Sequence, residues 1–178
     1  MIFHIDMSNN YKQKNYTAIA LVSVDSNNKK DNQLKKGIVL TDPLRNQLMK
    51  KYTDVQLHAG LISILLEDLI PFKRAIICPD IKPIEKVFSC ICSLHPELVF
   101  GHLKSLSELR EELGNNKYKS EADAFARRIN RNFKKMKNIH RKKSFYDLVI
   151  IINSNKSLYY DCFFKKLEKL RRFIESNR

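Results

Sequence analysis

The hydrophobic pattern of the chain changes period near residue 50. Before that point it is strand-like. Ile2 to Met7 is a short apolar run that ends at Asp6, Tyr16 to Val24 is rich in β-branched and apolar residues, and Leu34 to Leu40 repeats the character. Polar stretches, Ser8 to Asn15 and Asp25 to Asn32, separate these runs as turns. Residues 1–40 therefore predict an antiparallel three-strand meander.

Beyond it, Val55, Leu57, Leu61, Ile64, Leu65 and Leu69 recur at helical spacing. Thr53 stands where an N-cap belongs and Pro71 where the helix must stop. Arg74 to Cys78 reads as a buried strand leading into Pro79-Asp80, Ile84 to Leu94 as a helix, Leu98 to Leu103 as a strand, and Ser120 to Lys137 as a long basic helix. Leu148 to Ile152 is an unbroken apolar strand. Leu158 to Asn177 is an amphipathic helix with Phe163, Leu167, Leu170 and Ile174 on one face. The predicted order is β-β-β-α-β-α-β-α followed by an extra β-α. It predicts an α/β domain with a mixed five-stranded sheet over residues 1–137. Residues 138–178 form a strand-helix appendage packed on it, too small to fold alone.

Composition narrows the function classes. Four glycines in 178 residues leave no Gly-rich phosphate loop. Cys78, Cys90, Cys92 and Cys162 form no C-x-x-C pair and read as reduced, mostly buried thiols. With no basic n-region and apolar core of a signal peptide at the start, they predict a cytoplasmic protein. The longest apolar stretch, Leu61 to Phe72, is broken by Glu67 and Asp68, so no membrane partner is expected.

The net charge of +14 is uneven. Residues 1–100 contribute +3 and residues 101–178 contribute +11. From Arg127 to Lys143 there is no acid and nine cations: Arg127, Arg128, Arg131, Lys134, Lys135, Lys137, Arg141, Lys142 and Lys143. Such a segment supplies sequence-independent contacts to a phosphate backbone, which makes nucleic acid the expected partner.

Three carboxylates complete the candidate chemistry. Asp6 ends the first strand, Asp80 follows the fourth, and Asp123 lies on the basic helix. Ligands converge at strand ends in open α/β sheets. Carboxylate clusters there hold hard divalent cations through oxygen and can serve phosphodiester chemistry.

These elements together resemble the ribonuclease H-like family. His4-Ile5-Asp6-Met7-Ser8 is similar to the family's first-strand T-D-G-S pattern. Thr53-Asp54-Val55-Gln56-Leu57-His58 is similar to its T-N-N-x-x-E helix start, Cys78-Pro79-Asp80-Ile81 to its T/S-D-S strand end, and Ser120-Glu121-Ala122-Asp123-Ala124-Phe125-Ala126 to its N-x-x-A-D-x-L-A helix. The resemblance spans roughly residues 1–130. It implies a ribonuclease H-like domain that acts as a divalent-metal-dependent endonuclease on RNA–DNA hybrid or structured nucleic acid. Asp6, Asp80 and Asp123 would be catalytic, with Mg²⁺ or Mn²⁺ held by Asp6, His58, Asp80 and Asp123.

The chain departs from the pattern in three ways, one being that the family's His-containing loop before its last acid is not recognisable, with His102 nearby but out of register. The glycines after the first Asp are missing, and His58 stands where the family's helix glutamate falls. Imidazole suits Mn²⁺ or Zn²⁺ better than Mg²⁺. An inactive ribonuclease H-like binding or scaffold module is the alternative. A dimeric resolvase of the Holliday-junction type is a third reading. A PIN-type nuclease is disfavoured, since its first strand leads straight into a helix.

Overall fold

A computed structural model describes residues 2–8, 16–24, 33–69, 74–77, 83–132, 139–141 and 147–177. The expected meander is present. Strands β1 (Ile2–Ser8), β2 (Tyr16–Val24) and β3 (Lys35–Thr41) pair antiparallel in succession, with Asp6 opposite Ala20 and Ala20 opposite Gly37. On the far side of β1, β4 (Arg74–Ile77) runs parallel to it, and β5 (Leu103–Ser105) runs parallel to β4.

The expectation of five strands is corrected. β7 (Asp147–Ile152), assigned from sequence to an appendage, is a sixth strand of the same sheet and pairs parallel with β3 from Lys35↔Asp147 to Leu40↔Ile152. A three-residue strand, β6 (Ile139–Arg141), extends that edge, so the full order is β5-β4-β1-β2-β3-β7-β6. Leu148 to Ile152 is apolar throughout because both faces of β7 are covered, the situation of a parallel strand inside an α/β sheet.

Six helices flank the sheet among the described residues: α1 (Asp42–Leu48), α2 (Asp54–Leu66), α3 (Ile84–Leu94), α4 (Leu106–Leu113), α5 (Glu121–Asn132) and α6 (Tyr160–Ser176). None is long and apolar enough to cross a membrane. The period-2 alternation of the strands sorts the helices into two layers. Phe3, Ile5, Met7, Ile19, Leu21, Ile38, Leu40, Ile150 and Ile152 share one core with α2, α3 and α6. On the other face, Ala18, Ala20, Val22, Val39, Val149 and Ile151 pack against Ala122, Phe125, Ala126 and Ile129 of α5, and Ile76 packs against Leu106 and Leu109 of α4.

Small residues let α5 lie close to the sheet. Ala18 and Ala20 line its bed, and a Cβ on Gly37 would meet Ile129 Cδ1 at 2.3 Å. On the opposite side α2 is buried nearly all round, lying between the sheet and the helices α3 and α6. Its start is fixed by a reciprocal cap. The Thr53 hydroxyl accepts the Gln56 backbone N–H at 3.3 Å, and the Gln56 side chain accepts the Thr53 N–H at 2.7 Å.

Candidate nucleic-acid interface and carboxylate site

The side chain of Asp6 is placed by strand alternation. It shares a face with Ala20 and Val22, hence with α5 and not with α2. It is buried, and its Oδ1 accepts the backbone N–H of Met7 at 2.8 Å. Asp6 is one residue beyond the last β1–β4 pair, Ile5↔Ile77. Asp80, three residues after Ile77, lies outside the described residues.

Two residues before Asp6 on the same face, His4 joins β1 to α5. Its Nδ1 accepts the backbone N–H of Glu121 at 3.0 Å, and its Nε2 meets Tyr118 Oη at 3.0 Å, the two rings standing edge to face. Burial pushes the imidazole down to about 4, so the ring is neutral around neutrality. It serves as the acceptor for a helix-start N–H that no intrahelical carbonyl can satisfy. Sequence reasoning assigned His4 no role. Its one legible signal was its position, two residues from Asp6 and therefore on the same strand face.

Asp123 is half-buried on the flank of α5, next to the buried Ala122 and Ala126, and pairs with Arg127 at 2.9 Å across one helical turn. His58 stands elsewhere. It is buried on α2, in the layer over Phe3, Ile5 and Met7, whereas Asp6 points to the α5 face. Its Nδ1 is 3.9 Å from Asp54 Oδ2, too long for a hydrogen bond. Burial lowers its pKa, against a smaller opposing pull from Asp54. Among the described residues no three His, Cys, Asp or Glu side chains gather as a metal-holding group.

The basic segment begins on the outer face of α5. Arg127, Arg128 and Arg131 are exposed, while Ala122, Phe125, Ala126 and Ile129 turn inward. Arg128 lies over the Phe125 ring at 4.9 Å, a cation–π contact within the helix. Arg131 has no ion pair among the described residues. Arg141 falls on β6 at the sheet edge. Lys134, Lys135, Lys137, Lys142 and Lys143 lie outside the described residues.

Sequence reasoning also missed a run of polar side chains in the opposite layer. Ser63 Oγ meets His95 Nε2 at 2.5 Å, and His95 Nδ1 lies 3.5 Å from Glu97. The order is that of a nucleophile, base and acid. Ser63 has no exposed surface, however, and sits inside the α2–α3 contact, so the run satisfies buried polar groups instead of meeting a substrate.

The fold and site thus define an α/β protein with a mixed sheet, a buried carboxylate near the carboxyl end of its central β1 strand, and a cationic helix across one face. Comparison with family models, curated proteins and solved structures finds no match.

Proposed function

We propose that the chain is a ribonuclease H-like nucleic-acid-binding protein, with α5 holding the phosphate backbone and Asp6, Asp80 and Asp123 forming a divalent-metal site for phosphodiester cleavage. The observation that carries the reading is the placement of Asp6. An antiparallel meander lies on one side of β1 and two parallel strands on the other, and Asp6 on β1 faces the helix that bears Asp123, Arg127, Arg128 and Arg131. Nucleic acid lying along the outer face of α5 would meet guanidinium groups, with the carboxylates at the helix's first turns and beneath them.

The donor set fits a hard dication. Asp6 and Asp123 offer carboxylate oxygens, as Mg²⁺ and Mn²⁺ prefer, and the Asp123–Arg127 pair is partly solvated and weak enough for a stronger cation to replace. A bound dication would supply neutralisation of the charge that develops on the attacked phosphodiester. His58 does not belong to this set: it is neutral, buried, and carried by the layer on the opposite face of the sheet. Within this reading Asp6 would be one of the residues that hold the dication, and the Met7 N–H, donated to its Oδ1, orients the carboxylate. Arg127, released from Asp123, turns to a phosphate.

The inactive binding module is the second reading. It is favoured by the engagement of the Asp123 carboxylate with Arg127 at 2.9 Å. Cleavage of a labelled RNA–DNA hybrid by the wild type and Asp6→Asn, with Mg²⁺ and with Mn²⁺, separates the two. Cleavage lost in Asp6→Asn supports the nuclease. Hybrid binding without cleavage by either protein supports the binding module. Absence of any binding removes both.

A further inference from the structure

α6 presents a second cationic surface, far from α5. Its inward residues Phe163, Leu167 and Leu170 are fully buried, and Phe163 and Leu167 lie so close to Gly60 of α2 that a Cβ there would meet them at 3.0 and 3.3 Å. Its outward residues Lys165, Lys169 and Arg172 recur at i, i+4 and i+7, so they form one stripe. All three are exposed, and none makes an ion pair or hydrogen bond among the described residues. Other cations of the helix are engaged: Lys166 with Glu67 at 3.4 Å, and Arg171 with Glu168 at 3.1 Å and Glu175 at 3.4 Å. None of the three is directly paired among the described residues; Asp161 lies on the same line at its start, and Glu168, which borders Lys165 and Arg172, is held by Lys51 and Arg171. Lys51, which bonds to Glu168 at 2.7 Å, adds a cation beside it above the Phe164 ring.

At 1.5 Å per residue, Lys165 to Arg172 covers about 10 Å of axis. One strand of a duplex presents about three phosphates over that length. We infer that this stripe is a second contact for the phosphate backbone of a nucleic-acid duplex, so that one chain holds two duplex segments, one on each side of its sheet. The inference rests on the reading of the chain as a nucleic-acid-binding protein but uses none of the residues that reading assigns. An anionic membrane fits less well. A helix lying in a lipid interface needs an exposed apolar face next to its cations, and the apolar face of α6 is spent on the core.

The test uses the full chain and two short duplexes, one carrying a donor and one an acceptor fluorophore. The wild type is expected to bring them together. Lys165→Ala/Lys169→Ala/Arg172→Ala should fold with an unchanged melting temperature, still bind one duplex, lose energy transfer between duplexes, and lower the salt slope of binding by about 2–3, the share of three phosphate contacts. Unchanged transfer and slope in that variant would overturn the inference, including the case in which a dimer bridges through α5 alone. Arg127→Ala/Arg128→Ala/Arg131→Ala separates this outcome from the parent reading, because loss of all binding in it, with no effect of the α6 variant, leaves the α5 interface standing and removes the second site. Phosphatidylserine vesicles are the remaining arm. Binding to them that depends on Lys165, Lys169 and Arg172, with duplex bridging unaffected, would overturn the choice of nucleic acid.

Discussion

The imidazole of His4 caps α5 by accepting the backbone N–H of Glu121 at 3.0 Å. With Nδ1 as acceptor, the neutral ring carries its hydrogen on Nε2 and offers it to Tyr118 Oη. Protonation at Nδ1 would place two donors face to face at the positive end of the helix. That is a physical reason, beyond burial, for a neutral ring here.

A pH dependence follows. The unfolded chain takes up a proton on this histidine near pH 6.5, whereas the folded chain does so only at about pH 4. Below pH 6.5 the unfolded state binds more protons, so stability falls as pH is lowered through this window and levels off below about 4, by at most about 3 kcal/mol. His58 and His95 are also shifted downward by burial and act in the same direction. Urea midpoints across the window should show this loss, and His4→Gln should lessen the slope without abolishing it. A slope unchanged by His4→Gln would remove His4 from the account.

Gly60→Ala should destabilise the protein by about 1–2 kcal/mol. In an open helix the change would gain up to about 1 kcal/mol. Here the new methyl meets the Phe163 ring at 3.0 Å and Leu167 at 3.3 Å, both fully buried, and overpacking a closed core costs more than the propensity gain. Thermal unfolding checks the sign. Stabilisation would mean that α6 can shift away from α2 without loss.

His58→Glu should lower stability by about 3 kcal/mol and give no gain in Mg²⁺-dependent hybrid cleavage. The resemblance places a glutamate at this position, which would make the substitution a repair. The structure buries the position and sets it 3.9 Å from the Asp54 carboxylate, so a carboxylate there is both desolvated and next to a like charge. A denaturation series together with the cleavage assay decides the matter. A stable variant with raised Mg²⁺ activity would bring residue 58 into the site.

Local patterning made most elements legible. The three meander strands, the helix from Ile84 to Leu94 and the amphipathic C-terminal helix stand within a residue or two of where periodicity put them. Two short helices were not read. α1 has only seven residues, too few for a period to emerge. α4 was announced only by the Ser105–Glu108 capping box.

The destination of Leu148 to Ile152 was also hidden. An apolar run states that a strand is buried on both faces but not which strand it pairs with, and its partner β3 is more than 100 residues away in sequence. For the site, alternation along β1 fixed the company of Asp6. Nothing local could tell that His58 belongs to the opposite layer, since α2 is apolar almost all round and offers no polar stripe to orient it.

Contact between the outer face of α5 and a phosphate backbone is read out by the salt dependence of nucleic-acid binding. Affinities of the wild type and of Arg127→Ala/Arg128→Ala/Arg131→Ala for one RNA–DNA hybrid are measured over a series of salt concentrations. The wild type should show a steep linear fall of log affinity with log salt, and the variant a slope smaller by about 2–3, as three lost phosphate contacts require. Equal slopes for the two proteins, or a wild-type affinity that ignores salt, would contradict that contact.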